Sequence, residues 1–169
     1  MISALNNFCN HKYQPKIYKQ VNFCSNELEM KPPRNFDTVR VDFLHKGGVI
    51  DTAEEFNYTI WEKGVKTILS FLDPCNKDES IMLQNERKLI NQHNQKYPDH
   101  HINFNSLPCW WSSLRYSHNR PELKTKFIEK INSLPKPIYM HCLAGRDLSQ
   151  EMVELFQEAA KEGKINLKI

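Results

Sequence analysis

The segment that most limits the possible folds is a short apolar strand that runs into a glycine turn and then into a helix. Residues 137–141 (PIYMH) predict a buried strand, and Gly145 predicts a tight turn. From Ser149 to about Glu162 the apolar residues recur at helical spacing, and Gly163 ends that helix. A strand, a turn and a helix in this order are typical of α/β domains.

The rest of the chain continues the same alternation of short β-rich segments and longer amphipathic ones. Strands separated by helices imply a mainly parallel sheet, because parallel strands need a crossover connection. We therefore predict a three-layer α/β fold, with a central sheet of four or five strands flanked by helices. The predicted strands are 38–44, 65–72, 101–107 and 137–141, with a short edge strand at 164–169. Four helices are predicted: one from Asp51 or Thr52 to about Lys63, one over 79–97, one that begins at Pro121, and one over 149–162.

Length and local composition indicate one domain preceded by an arm. The chain has 169 residues, which suits a single hydrophobic core. Residues 1–36 are irregular, and the paired prolines Pro32 and Pro33 disfavour a helix near their end. We predict an N-terminal arm over 1–36, laid on the domain or partly disordered, and one α/β domain over 37–169.

Charge and cysteine usage argue against several classes of function. The net charge of +3 is too small to indicate nucleic-acid binding, and no apolar run reaches membrane-spanning length. The five cysteines are scattered without a C-x-x-C pair, which argues against a disulfide framework and a zinc site. No secretion signal is visible, so we expect the cytoplasm, or a host cytosol reached by another route. No metal or cofactor is predicted, and the histidines without metal-ligand spacing are expected to be solvated: His93, His100, His101 and His118.

Cys142 lies where a thiol gains reactivity. The predicted strand brings Cys142 to the carboxyl edge of the sheet, and the turn at Gly145 leads into the N-terminus of a helix. Backbone N–H groups of such a turn form an anion-binding nest, and the helix N-terminus adds partial positive charge. The same field favours a thiolate, which is a nucleophile toward a bound phosphate. The alternative is an inert core cysteine.

The run His141-Cys142-x-Ala144-Gly145-x-x-x-Ser149 resembles the H-C-x-x-G-x-x-R-[S/T] signature of the protein tyrosine and dual-specificity phosphatases. The order of elements over residues 38–162 is similar to that of the small members. The resemblance implies that Cys142 is the nucleophile, that the Ser149 hydroxyl helps the thiolate leave, and that His141 supports the loop. It also implies a phosphate-binding loop made of Leu143, Ala144, Gly145, Arg146, Asp147 and Leu148.

Two departures from that family pattern concern charge. The family has an arginine where this chain has Leu148, and Arg146 cannot be assumed to replace it. Losing such a charged contact costs roughly 2–5 kcal/mol, or about 30- to 5000-fold in rate. The family also places an aspartate on a mobile loop before the last helix–strand unit, whereas the matching residues 107–121 contain no Asp or Glu. Asp147 could supply a proton or could simply brace the loop.

Three functions stay open from the sequence. The first is a cysteine-dependent phosphatase, impaired in this chain, whose partner is a phosphorylated protein (phosphotyrosine or phosphoserine/threonine) or a phosphoinositide. The second is a non-catalytic pseudophosphatase that binds a phosphate group or a protein. The third is another cysteine chemistry on a similar loop, such as sulfur transfer. Trp110, Trp111, Arg115 and Tyr116 either form a wall over the pocket or fold inward.

Overall fold

The computed structural model describes residues 29–107 and 120–168. Its strands are β1 (Asp37–Arg40), β2 (Leu44–Gly47), β3 (Thr67–Ser70), β4 (Asn103–Ser106) and β5 (Ile138–His141). They form one sheet in the order β1-β2-β5-β3-β4, in which β1 pairs antiparallel with β2 and the other pairs are parallel. Helices cover both faces, so the predicted three-layer α/β fold is confirmed.

The prediction of one strand over 38–44 is wrong, because the chain reverses direction inside that segment. β1 and β2 form a hairpin whose turn places Asp42 at a φ of 56°. The amide of Phe43 donates to the carbonyl oxygen of Arg40 across this turn, at 3.2 Å. Aspartate tolerates the left-handed region better than most residues, so it permits the reversal without a glycine.

Caps in the sequence set the starts of the first two long helical segments. Thr52 accepts a hydrogen bond from the Glu55 amide and begins the first helix, which continues as one π-helical segment at Tyr58–Glu62. Asn76 accepts from the first amides of the second helix, which therefore starts two residues earlier than predicted. The helices are α1 (Ala53–Asn57), α2 (Lys77–Lys96), α3 (Arg120–Ser133) and α4 (Asp147–Lys161).

The core lies on both faces of the central strand β5, because successive side chains of a strand point to opposite faces. Met140 and Cys142 pack in the cluster that α3 and α4 cover, together with Phe127 and Phe156. Tyr139 packs in the cluster beneath α1 and α2. Cys142 therefore faces α3 and α4, while the side chains of alternate β5 residues face α2.

Two further predictions are wrong. The segment 164–168 forms no strand; instead Ile165 is buried in the core, and the Asn132 side chain bonds the backbone of Lys164 and Asn166. His93 is buried rather than solvated.

The aromatic neighbours of His93 explain its burial. Its ring packs against Phe56, Trp61 and Tyr97, with ring centroids 5.6, 5.4 and 5.1 Å away. The other histidines of that prediction differ among themselves: His100 is half-buried, His101 is exposed, and His118 lies outside the described residues. None of the described helices is both long and apolar enough to span a membrane.

Candidate functional site

The centre of the sheet brings Cys142 to its carboxyl edge. β5 lies between β2 and β3 and is parallel to both, so all three strands end at the same edge. The carbonyl oxygen of His141 accepts from the Phe71 amide at 2.9 Å, which holds the end of β5 against the chain leaving β3. Cys142 follows immediately and is buried. In open α/β sheets, this edge is where ligands bind.

A thiol and a hydroxyl meet at the start of α4. The Sγ atom of Cys142 lies 3.6 Å from the Oγ atom of Ser149, and both side chains are buried. Ser149 is in the first turn of α4, which begins at Asp147. The preceding Arg146 provides no side-chain cap, so the first amides of α4 are left for another acceptor. This arrangement brings a thiol and a hydroxyl together at the N-terminus of a helix.

The turn between Cys142 and α4 depends on Gly145. Its φ is 71°, in the left-handed region that favours glycine, and its side-chain position is occupied by neighbouring backbone. A Cβ atom there would overlap with the carbonyl carbon of Gly47 and the amide nitrogen of Gly48. The glycine pair after β2 and the glycine of the loop therefore pack backbone against backbone.

Residues just before β1 hold the same loop from outside. The Asn35 side-chain amide donates to the carbonyl oxygen of Ala144 at 2.8 Å. The Gly48 amide donates to the carbonyl oxygen of Arg34 at 2.7 Å, and the Val49 amide to that of Leu143 at 3.4 Å. These bonds connect three separate parts of the chain around residues 143 and 144. Sequence reasoning missed Asn35, whose contact spans 109 positions.

His141 lies beneath the loop and is paired with a buried carboxylate. Its Nε2 atom is 2.9 Å from Oε1 of Glu86, and both side chains are fully buried. Glu86 was not predicted as a site residue. The signal was present, because Glu86 lies four residues after Met82 and four before Ile90 on the buried stripe of α2. A charged residue on a core register indicates a buried partner.

Tyr139 supports the strand end from the same face as His141. Its hydroxyl donates to the carbonyl oxygen of Gly48 at 2.6 Å, and its ring stacks on that of His141 with centroids 5.7 Å apart. Burial raises the pKa of Tyr139 well above its ordinary value, and the negative charge of Glu86 adds to the shift. Tyr139 therefore remains a neutral hydrogen-bond donor.

The remaining predicted loop residues differ in exposure. The side chains of Leu143, Arg146 and Asp147 are exposed, whereas Ala144 is half-buried. Leu148 is half-buried and packs against the core cluster shared by α3 and α4. Leu148 therefore contributes an apolar contact, and no charge, to the loop. The predicted wall residues Trp110, Trp111, Arg115 and Tyr116, at 110–116, lie outside the described residues.

The described residues were searched for side chains that could bind a metal ion together. Among residues 29–107 and 120–168, no three His, Cys, Asp or Glu side chains are grouped as ligands.

Comparisons with known proteins identify a related fold. No family model matches this sequence, and no curated protein matches it either. The chain is similar to the core catalytic domain of the Saccharomyces cerevisiae PP-IP phosphatase SIW14, solved with citrate, at 18% identity and a TM-score of 0.54. That match covers 78% of this chain and 70% of the other. A second structure, of the Siw14 catalytic core, has 15% identity and a TM-score of 0.47, over 79% and 70% of the two chains. The chain therefore has the fold of a phosphatase catalytic domain.

Proposed function

We propose that the loop from Cys142 to Ser149 binds a phosphate monoester group, and that this chain hydrolyses the ester slowly or not at all. The observation that carries the proposal is the 3.6 Å separation of the Cys142 thiol and the Ser149 hydroxyl at the uncapped N-terminus of α4. Free backbone amides and the helix dipole at such a terminus attract an anion.

Each loop residue has a role in this proposal. Cys142 acts as the nucleophile: its thiolate forms a bond to phosphorus as the bond to the ester oxygen breaks, and that oxygen leaves as the alcohol. Water then cleaves the thiophosphate intermediate, which releases phosphate and the Cys142 thiolate. The Ser149 hydroxyl stabilises the thiolate as it leaves in the second step. His141 holds the end of β5, and the amides of residues 143–148 bind the phosphate oxygens. Asp147 is exposed at the first turn of α4, where it could protonate a leaving group.

Slow turnover follows from Leu148. A phosphoryl group in transfer spreads negative charge over its equatorial oxygens, and enzymes of this chemistry neutralise that charge with cations. Leu148 packs its side chain against the core instead. Amides that bind the ground state remain, so the loss falls mainly on the transition state. We expect turnover to be reduced by roughly 30- to 5000-fold relative to a loop with the arginine.

The substrate classes in this proposal share one terminal phosphate. They are phosphotyrosine, phosphoserine/threonine and phosphoinositide groups. The similarity to a PP-IP phosphatase adds inositol pyrophosphates, whose terminal phosphate is held by an anhydride bond and not by an ester bond. The proposed partners are therefore a phosphorylated protein or a phosphorylated inositol, met in the cytoplasm. Residues 1–36 would form an arm on the domain 37–169.

The second candidate function is a purely non-catalytic binding module. The observation in its favour is again Leu148, because an apolar side chain packed against the core suits the fold without any catalytic cation. On this alternative, the loop binds a phosphate group or a protein partner and Cys142 takes no part in turnover.

The test is hydrolysis of an activated aryl phosphate by three proteins. An aryl leaving group needs little protonation, so the missing acid does not obscure the result. The unmodified chain should be very slow, and Leu148→Arg should be faster. Adding Cys142→Ser to Leu148→Arg should remove the gain. Brisk hydrolysis by the unmodified chain would contradict the impaired site, and a folded Leu148→Arg protein with no gain would favour the binding module.

A further inference from the structure

Lys46 is a half-buried cation for which the chain provides no counter-ion among the described residues. It is the third residue of β2, and its ammonium makes no ion pair and no hydrogen bond within 29–107 and 120–168. Asp37 lies opposite Lys46 across the β1–β2 hairpin, but its side chain is exposed and the two do not form an ion pair. Withdrawing an ammonium even partly from water without an acceptor costs free energy. An unpaired lysine here therefore indicates that an anion outside the chain is its partner.

Lys46 faces the same side of the sheet as the Cys142 thiol. Side chains along a strand alternate between the two faces, so Lys46 shares a face with Leu44, which packs in the core cluster that α3 and α4 cover. In the parallel pair of β2 and β5, Lys46 is in register with Met140, and both Met140 and Cys142 belong to that cluster. The cation and the thiol thus lie on neighbouring strands and on one face.

The loop lies within reach of the Lys46 side chain. Lys46 is one strand away from β5 and two residues short of Cys142, which puts the two Cα atoms about 8 Å apart in a regular sheet. The next residue, Gly47, contacts the loop directly, since a Cβ atom on Gly145 would overlap with the Gly47 carbonyl carbon. The flexible four-carbon stem of a lysine spans most of such a distance. The ammonium can therefore reach the rim of the loop without any change in the backbone.

We infer that the Lys46 ammonium contributes positive charge to the anion site of the Cys142 loop, from the strand beside it. The inference rests on the proposed function in taking this loop as the anion site. Leu148 offers no charge, because its side chain packs against the core, and Arg146 is exposed at the start of α4. A lysine acts as a point charge and lacks the two parallel donors of an arginine. Lys46 therefore strengthens binding of an anion and leaves the slow turnover caused by Leu148 in place.

The first test compares two alkylating reagents of nearly the same shape, anionic iodoacetate and neutral iodoacetamide. With each reagent, the Cys142 thiolate forms a bond to carbon and iodide leaves. The ratio of the two rates reports the charge near the thiol, because changes in thiol ionisation or access affect both reagents alike. Lys46→Gln should lower the iodoacetate-to-iodoacetamide ratio at Cys142 by about threefold, as expected for the loss of one unit charge several ångströms away in water. Lys46→Met should do the same, and Lys46→Arg should keep the ratio.

Two controls fix the meaning of that ratio. Lys66→Gln removes the same charge from an exposed position at the opposite edge of the sheet, where the Lys66 amide donates to the carbonyl oxygen of Pro137 just before β5. Its ratio at Cys142 should equal that of the unmodified chain. The exposed thiol of Cys75 is the internal reference, and its ratio should be the same in every variant. A ratio at Cys142 that Lys46→Gln leaves unchanged would overturn the inference, since the ammonium would then extend into water.

The second test measures how inorganic phosphate protects Cys142 from iodoacetamide. Lys46→Gln should raise the phosphate concentration needed for half-protection by about threefold or more, and Lys66→Gln should not. Phosphate that protects Cys142 equally well in Lys46→Gln and in the unmodified chain would overturn the inference and leave the proposed function standing. If phosphate does not protect the unmodified chain, the proposed function fails, and the reagent ratio alone then decides whether Lys46 acts on the thiol.

Discussion

Gly145 packs against Gly47 so closely that a Cβ atom on Gly145 would overlap with the Gly47 carbonyl carbon. We predict that Gly145→Ala disrupts the loop, because strain at its φ of 71° and this overlap act together. Gly163→Ala is the matched control, since Gly163 has a similar φ of 69° but nothing within 4 Å of its Cβ position.

Chemical denaturation of both proteins separates strain from overlap. Gly163→Ala should lose about 1 kcal/mol of unfolding free energy, as expected for strain alone. Gly145→Ala should lose roughly 1–3 kcal/mol more, because overpacking against backbone adds to the strain. Equal losses at the two positions would show that the glycine contact is unimportant.

Asn35 should restrain the loop through its bond to the Ala144 carbonyl oxygen. Asn35 has a φ of 54°, so Asn35→Gly removes the bond without adding strain, whereas Asn35→Ala removes it and adds strain. We expect faster amide hydrogen exchange around residues 143–146 in both variants, and a larger loss of stability in Asn35→Ala. Unchanged exchange in Asn35→Gly would show that the bond does not restrain the loop.

Tyr139→Phe should destabilise the fold by roughly 1–3 kcal/mol, because it leaves the Gly48 carbonyl oxygen buried without its donor. Urea denaturation measures this loss. Tyr97→Phe, at the half-buried end of α2, is the control and should be close to neutral. A neutral Tyr139→Phe would mean that the carbonyl finds another donor.

Acid should destabilise the native protein through His93. Burial lowers the pKa of His93 below its ordinary value, so between the folded and unfolded pKa values only the unfolded chain is protonated. The contribution of neutral His93 to the free energy of unfolding is therefore fully present above the unfolded pKa of about 6.5. This contribution is lost as the pH falls from there toward the lower pKa of the folded state. The pKa of His45 is also lowered, mainly by burial, and adds to the same loss.

Urea denaturation at about pH 7.5 and about pH 5.5 measures how much unfolding free energy is lost on acidification, and a His93 variant shows how much of that loss is due to His93. His93→Gln should lose less stability between the two pH values than the unmodified chain. The control Gln92→Asn changes an exposed, uncharged side chain one residue earlier and should behave like the unmodified chain. An unchanged pH dependence in His93→Gln would contradict this assignment.

Hydrophobic periodicity predicted the order of strands and helices and the strand, turn and helix around Cys142. The hairpin at Asp42 was missed because one residue in the left-handed region leaves no mark on that periodicity. The burial of His93 was missed because its partners, Trp61 among them, come from another element of the fold.

The partners of the loop were harder to predict than the loop itself. Asn35 reaches Ala144 from 109 positions away, and no local pattern encodes such a contact. Glu86 lies on the apolar register of α2, which indicates a buried partner, but the register does not show which residue that partner is. Both contacts depend on strand order, which a sequence pattern constrains only loosely.

The central claim, that the loop at Cys142 binds a phosphate group, is tested most directly by protection of its thiol. Iodoacetamide alkylation of Cys142 and of the exposed Cys75 is measured at increasing concentrations of inorganic phosphate. Phosphate should slow alkylation of Cys142 in a saturable way and leave Cys75 unaffected, and Gly145→Ala should abolish the protection. An alkylation rate of Cys142 that does not change with phosphate concentration in the unmodified chain would contradict the account.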